Sequence, residues 1–128
     1  MIGSTRNLSV YAAAEPVDLR RGFGGLFAYA RDVIKRDPMS GHLFLFVARN
    51  RKSAKVLVWD GTGLCIYHKR LTRGRFVAPW QRAALEMTQS ELALFLEGSH
   101  RVREKLSPDA FRFETSPRRA LPVLNVPV

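Results

Sequence analysis

Apolar residues recur every three to four positions between Asp18 and Arg36, and this spacing predicts one long amphipathic helix over residues 18–36. Asp18 is of the residue type that caps a helix, because its carboxylate accepts a hydrogen bond from a free backbone N–H of the first turn. Pro38 ends the segment. The predicted apolar stripe consists of Leu19, Phe23, Leu26, Phe27, Ala30, Val33 and Ile34.

Short apolar runs separated by polar turns predict a sheet in the middle of the chain. Residues 43–48 are uniformly apolar, which is typical of a strand covered on both faces. The links between the later runs are short, so neighbouring strands are expected to run antiparallel. The predicted strands are residues 8–12, 43–48, 55–59, 64–71 and 76–78, with residues 85–87 as a weak strand or a lead-in to a helix.

A second, short helix is predicted to begin after Thr88. Thr88 and Glu91 have the spacing of a capping box, in which each side chain accepts a hydrogen bond from the other residue's backbone N–H. Met87 is placed to pack on Leu92 across this cap, and Gly98 suits the C-terminal end.

The periodic pattern ends near residue 99. Residues 100–128 contain four prolines and mixed charges, and we predict an extended or partly disordered C-terminal arm there. The fold expected for residues 1–99 is a single α+β domain. In it, an antiparallel β-meander of four or five strands packs against one long and one short helix.

Composition fits an ordinary globular chain of 128 residues with 46% hydrophobic residues, enough for one core without a metal or disulfides. Cys65 is the only cysteine in the sequence and cannot form an internal disulfide, which agrees with a reducing compartment. No apolar run approaches the ~18 residues of a membrane span. Residues 1–7 lack the apolar core of a signal peptide. We therefore expect a cytoplasmic protein without a membrane partner.

Charge is the first feature that points to a partner. Lys and Arg number 21 against 11 Asp and Glu, so the net charge is +10. Residues 49–75 carry eight cations and one anion, Asp60, and thus contribute +7 of that total. A field of this sign attracts polyanions, although a solvated surface that keeps the protein soluble is the alternative.

Two cationic connections flank the central predicted strands, and in a meander they fall at the same end of the sheet. Lysine and arginine there would neutralise phosphates and release counterions. Trp59 and Tyr67 are expected to pack in the core, whereas Trp80 is expected to be exposed and available for stacking on bases. The predicted nucleic-acid-binding residues are Arg49, Arg51, Lys52, Lys69, Arg70, Arg73, Arg75 and Trp80.

Catalytic chemistry finds little support in the sequence. Metal-dependent strand transfer needs convergent carboxylates, but Asp18, Asp60 and Glu91 are explained as a helix cap, a turn residue and a capping-box partner. The three histidines are scattered without metal-ligand spacing. Cys65 is expected to be a buried, inert thiol. We therefore predict no enzymatic activity, no metal and no cofactor.

Several motifs occur in a fixed order along the chain. They are DLRRGF at 18–23, GL at 25–26, SGHLF at 40–44, VWDGTGLC at 58–65, YHKRLTRGRF at 67–76, Pro79 and LALFLEG at 92–98. In these motifs the chain resembles the small accessory protein encoded by the second reading frame of insertion-sequence-66-type elements, often labelled TnpB. An unrelated RNA-guided nuclease shares that label. One departure is Gly24, where the family usually has aspartate.

This resemblance implies a role in transposition beside a separate, large transposase that resembles the catalytic subunit. Two hypotheses follow. In the first, the protein binds DNA or RNA through the basic edge of the sheet. In the second, it is an adaptor that docks on the transposase through exposed aromatic residues and the arm, without direct DNA contact. The expected partners are nucleic acid, the transposase and the element's other accessory protein, and self-association is left open. A nuclease is the least favoured alternative.

Overall fold

Five strands form one mixed sheet in the computed structural model of the protein, which describes residues 8–98. The strands lie in the order β4-β3-β2-β1-β5, and β2, β3 and β4 form the predicted antiparallel meander. The bounds are β1 Val10–Ala12, β2 Leu43–Val47, β3 Ser53–Trp59, β4 Leu64–Arg70 and β5 Glu86–Met87.

The prediction of a wholly antiparallel meander is wrong at β1, which pairs in parallel with β2. Parallel neighbours need a long crossover, and the helical segment between these strands provides it. The predicted strand at residues 76–78 does not form. Phe76 is fully buried, its backbone N–H donates to Arg51 O (2.7 Å), and a 3₁₀ turn follows at Pro79–Gln81. The fifth strand is instead β5, which pairs antiparallel with β1.

The first helix is shorter than its apolar stripe predicts. Helix α1 spans Phe23–Tyr29 with Gly22 at its N-cap, so Asp18 is not the cap. The Asp18 carboxylate instead accepts the backbone N–H of Arg20 (3.0 Å) and pairs with the Arg20 guanidinium (2.7 Å), which closes a turn ahead of the helix. After α1 the chain widens into a π-helical turn, Ala30–Ile34.

The second helix begins as predicted. Helix α2 spans Gln89–Phe95, and the capping box is confirmed because Thr88 Oγ1 accepts the Glu91 N–H (3.1 Å) while Glu91 Oε1 accepts the Thr88 N–H (2.8 Å). The two helices lie on opposite faces of the sheet, since α1 packs on Phe44 and Phe46 and α2 packs on the face formed by the alternate residues of β2. Each face therefore has its own core.

The predicted C-terminal arm, residues 100–128, and the boundary at residue 99 lie outside the described residues and stay predictions. No helix within residues 8–98 is both long and apolar enough to cross a bilayer.

Candidate nucleic-acid interface

Two chain connections meet at one end of the sheet. One is the β2–β3 turn, and the other follows β4. The backbone N–H of Leu71 donates to Lys52 O (2.8 Å), and the Phe76 N–H donates to Arg51 O (2.7 Å). Five of the predicted cations lie on these connections, and Lys69 and Arg70 are the last two residues of β4, so we call this end the cationic rim. Its members are Arg49, Arg51, Lys52, Lys69, Arg70, Arg73 and Arg75.

The β2–β3 turn is held in an unusual backbone conformation. The Asn50 carboxamide oxygen accepts the Lys52 N–H (2.9 Å), and the Arg51 N–H donates to Ala48 O (2.9 Å). Arg51 has φ +60°, a left-handed conformation that costs a non-glycine residue on the order of 1–3 kcal/mol. Its guanidinium donates to Phe76 O (Nη1···O 3.3 Å). Arg51 therefore ties the two connections together and is half-buried.

The other members of the rim differ in exposure. Arg49, Arg70, Arg73 and Arg75 are exposed, whereas Lys52 and Lys69 are half-buried. Within residues 8–98 the ion pairs join Arg20 to Asp18, Arg31 to Asp32 and Arg82 to Glu91. None of these pairs includes the four exposed arginines, so no described carboxylate neutralises their charge.

Two expectations about aromatic residues are wrong. Trp80 is half-buried against the core on the α2 face, because the 3₁₀ turn that carries it also buries Pro79. Tyr67, expected in the core, is 53% exposed. It lies on the edge strand β4, on the face of the sheet that α2 packs against. The short helix α2 leaves the outer part of this face uncovered.

Cys65 is also exposed rather than buried. Its Sγ lies 3.4 Å from Asp60 Oδ2, and hydrogen bonding to this carboxylate raises the pKa of the Cys65 thiol. The thiol therefore stays protonated, which is the wrong state for a nucleophile. Asp60 is confirmed as a turn residue, since its Oδ1 accepts the backbone N–H groups of Thr62 (2.9 Å) and Gly63 (3.0 Å).

The Asp60 turn gives a pH-dependent stability. Its backbone hydrogen bonds from Thr62 and Gly63 lower the pKa of Asp60 from 3.8 to about 2. A lowered folded-state pKa stabilises the fold above the unfolded value, and this contribution is lost as the pH falls through about 2. We expect Asp60→Ala to lower Tm at neutral pH and to differ little from the wild type near pH 2, measured by circular dichroism. Asp60→Asn retains an acceptor without the charge and is the control. A Tm difference that is unchanged between the two pH values would contradict this assignment.

Arg20 and Arg21 were not among the predicted site residues. Residues 16–19 and 48–50 line one open cleft, and the Val17 N–H donates to Val47 O (3.0 Å). The ammonium of Lys55, on β3, donates to Leu19 O (2.7 Å) and Arg21 O (3.2 Å). These contacts place the backbone of the segment that carries the two arginines close to the cleft that Arg49 lines. The sequence signal was their position beside clustered glycines, but nothing in it indicated that Lys55 would hold their loop.

Lys55 has a structural role rather than a ligand-binding one. It pairs across the strands with His68, whose pKa is lowered by burial and by the charges of Lys55 and Arg70. His68 is therefore neutral at pH 7 and adds no charge to the rim. In the described part of the chain no group of His, Cys, Asp or Glu residues could hold a metal ion.

These features define a small α+β protein with four exposed arginines at one end of a mixed sheet, none of them in an ion pair within residues 8–98. A family model described as "IS66 Orf2 like protein" matches residues 8–106, so the chain belongs to that family. The resemblance drawn from the motifs is thereby confirmed. Members of the family are accessory, non-catalytic proteins associated with insertion-sequence transposition.

Two relatives come from Sinorhizobium fredii (strain NBRC 101917 / NGR234), and both are described as uncharacterized. The protein y4jC is 36% identical over 109 residues, which cover 84% of this chain and 93% of the relative. The protein y4hO is 37% identical over 99 residues, or 77% of this chain and 86% of the relative. No solved structure matches the chain.

Proposed function

We propose that the protein is a non-enzymatic transposition accessory protein that acts in the cytoplasm and binds nucleic acid through the cationic rim. The observation that supports this most directly is the joining of two cationic connections by backbone hydrogen bonds at one end of the sheet. Four exposed arginines there have no carboxylate partner among the described residues. Such a surface is suited to a phosphate backbone.

The chemistry of the rim indicates backbone contact rather than base readout. Each phosphate that a Lys or Arg neutralises releases condensed counterions, so log K falls with log salt by about 0.9 per contact for duplex DNA. Contacts of this kind carry no sequence information. The proposed role is therefore to hold DNA beside the transposase rather than to select a sequence. The same chemistry would act on RNA.

Fluorescence polarisation with labelled duplex DNA, single-stranded DNA and RNA tests this proposal. We expect binding at low salt and a log–log salt slope of about −4 for duplex DNA, one contact for each exposed arginine of the rim. Absence of binding to all three probes at low salt would contradict the proposal.

The second candidate function is an adaptor that docks on the transposase without touching DNA. The adaptor function is favoured by two large side chains, Phe23 and Tyr67, because each is about half-exposed and can contact a partner protein. This function predicts co-purification with the transposase after nuclease treatment. The complex would be lost on deletion of residues 100–128 and would be insensitive to replacement of the rim arginines.

A further inference from the structure

Phe23 is an apolar residue that the fold does not bury. It begins α1, and its side chain is 51% exposed although Leu26 and Tyr29, farther along the helix, are buried. Within the predicted apolar stripe Leu26 and Ala30 are buried, whereas Phe23 and, at 52%, Val33 are exposed. Core packing does not account for the Phe23 ring, which is therefore available for contact with a ligand.

The loop that carries Phe23 is fixed by several contacts. Lys55 holds the carbonyls of Leu19 and Arg21, while the Asp18 carboxylate accepts the Arg20 N–H. The Arg21 guanidinium lies 5.6 Å from the centroid of the Tyr29 ring. A ring presented by an ordered loop loses little conformational entropy on binding.

This loop lies next to the cationic rim. Lys55 and Ser53 share one face of β3, and their cross-strand partners are His68 and Arg70. A step of two residues along a strand is about 7 Å. Lys55 itself therefore lies about one such step from the Ser53–Arg70 pair, and Leu19 of the loop it holds lines the same cleft as Arg49.

We propose that Phe23 stacks on an unpaired base while the arginines of the rim bind the flanking phosphates. This inference rests on the proposed function and narrows its ligand to single-stranded or locally unpaired nucleic acid. A base within a duplex has both faces covered by its neighbours, whereas an unpaired base offers a free face to an aromatic ring. Every base has such a face, so stacking tolerates any sequence.

The charges around Phe23 favour nucleic acid over an apolar pocket on a protein. Arg20 and Arg21 precede it directly, and no acidic residue occurs between Asp18 and Asp32. Asp18 is itself paired with Arg20. Gly24 adds no charge, and a side chain there would meet nothing within 4 Å, so the surface next to Phe23 in sequence is open. A phosphate flanking a stacked base would therefore meet no repulsive carboxylate from this segment.

Polarisation with three DNA probes of equal length tests the inference: a single strand, a full duplex and a duplex with a single-stranded overhang. We expect Phe23→Ala to weaken binding to the single strand and the overhang by about 10- to 100-fold, and to change duplex binding by no more than about twofold. Phe23→Trp should bind at least as well as the wild type, and Phe23→Leu as weakly as Phe23→Ala. Val33→Ala is the matched control, because Val33 is 52% exposed on the π-helical turn.

Other results would overturn the inference. Equal losses on all probes, or none, would exclude base stacking by Phe23, whereas duplex binding by the wild type would still support the proposed function. Wild-type binding by Phe23→Leu would indicate a general apolar contact, such as one with a protein. A loss confined to Tyr67→Ala would assign stacking to the opposite face of the sheet. Failure of the wild type to bind any probe would instead refute the proposed function itself.

Discussion

Replacing Arg49, Arg73 and Arg75 together by glutamine is expected to weaken duplex DNA binding by two to three orders of magnitude at about 0.1 M salt. The loss of three phosphate contacts removes about 0.9 log units each at that concentration, and it should reduce the log–log salt slope by about 3. All three side chains are exposed and make no ion pair within residues 8–98, so the fold should tolerate their removal. Arg51 is left in place because its guanidinium joins the two connections.

A matched variant separates local charge from net charge. Replacing Arg31, Lys35 and Arg36 by glutamine lowers the net charge by the same amount. These residues lie in or just after the π-helical turn, where Arg36 packs over Tyr11 on β1 rather than beside the rim. We expect this variant to keep the wild-type salt slope. Equal losses of affinity in the two variants would show that the rim is not the site and that only the overall field attracts DNA.

The parts of the fold that local signals determine could be predicted from the sequence. The uniformly apolar run at β2 forms the buried centre of the sheet. The turn at Asp60 forms because one carboxylate satisfies successive backbone N–H groups, and this needs no tertiary contact. The capping box at Thr88 is local in the same way.

The parts of the fold that depend on contacts between distant residues could not be predicted from the sequence. The periodicity beginning at Leu19 favoured an early helix start, but Lys55 captures two carbonyls of that segment from another part of the chain. The parallel pairing of β1 with β2 likewise requires a crossover that no local pattern specifies. Tyr67 has the alternation of a buried strand residue, yet its exposure depends on how far α2 extends over the sheet.

The candidate site likewise combines features that could be predicted from the sequence with features that could not. Its charges could be read from the sequence, and their meeting at one end of the sheet followed from the meander of β2, β3 and β4. The individual roles could not be read in this way. Arg51 stays a predicted ligand-binding cation, and no local pattern indicated that it would have a positive φ and donate to the Phe76 carbonyl. Trp80 was expected to be exposed, whereas it is half-buried, and Phe23 is an exposed ring that was expected on the apolar stripe of the first helix.

Phe76 connects the rim to the core, and its replacement is expected to have the largest effect on stability. Its ring is fully buried and stacks on Phe95 with centroids 5.3 Å apart, while its backbone exchanges hydrogen bonds with Arg51. We expect Phe76→Ala to cost about 3–5 kcal/mol, because a phenyl ring is lost and a cavity remains. For a domain of this size the loss lowers Tm by at least about 12 °C.

The neighbouring residue supplies the control. Val77 is exposed, so Val77→Ala should change the free energy of unfolding by no more than about 0.5 kcal/mol. Hydrogen exchange should show faster exchange of the Leu71 and Phe76 amides in Phe76→Ala, since both amides join the two connections. A Tm no lower than that of Val77→Ala would show that Phe76 does not anchor this connection. If Phe76 does anchor this connection, Arg73 and Arg75 lie on a loosened segment in Phe76→Ala. This variant should then also bind DNA more weakly than the wild type at temperatures where it is folded.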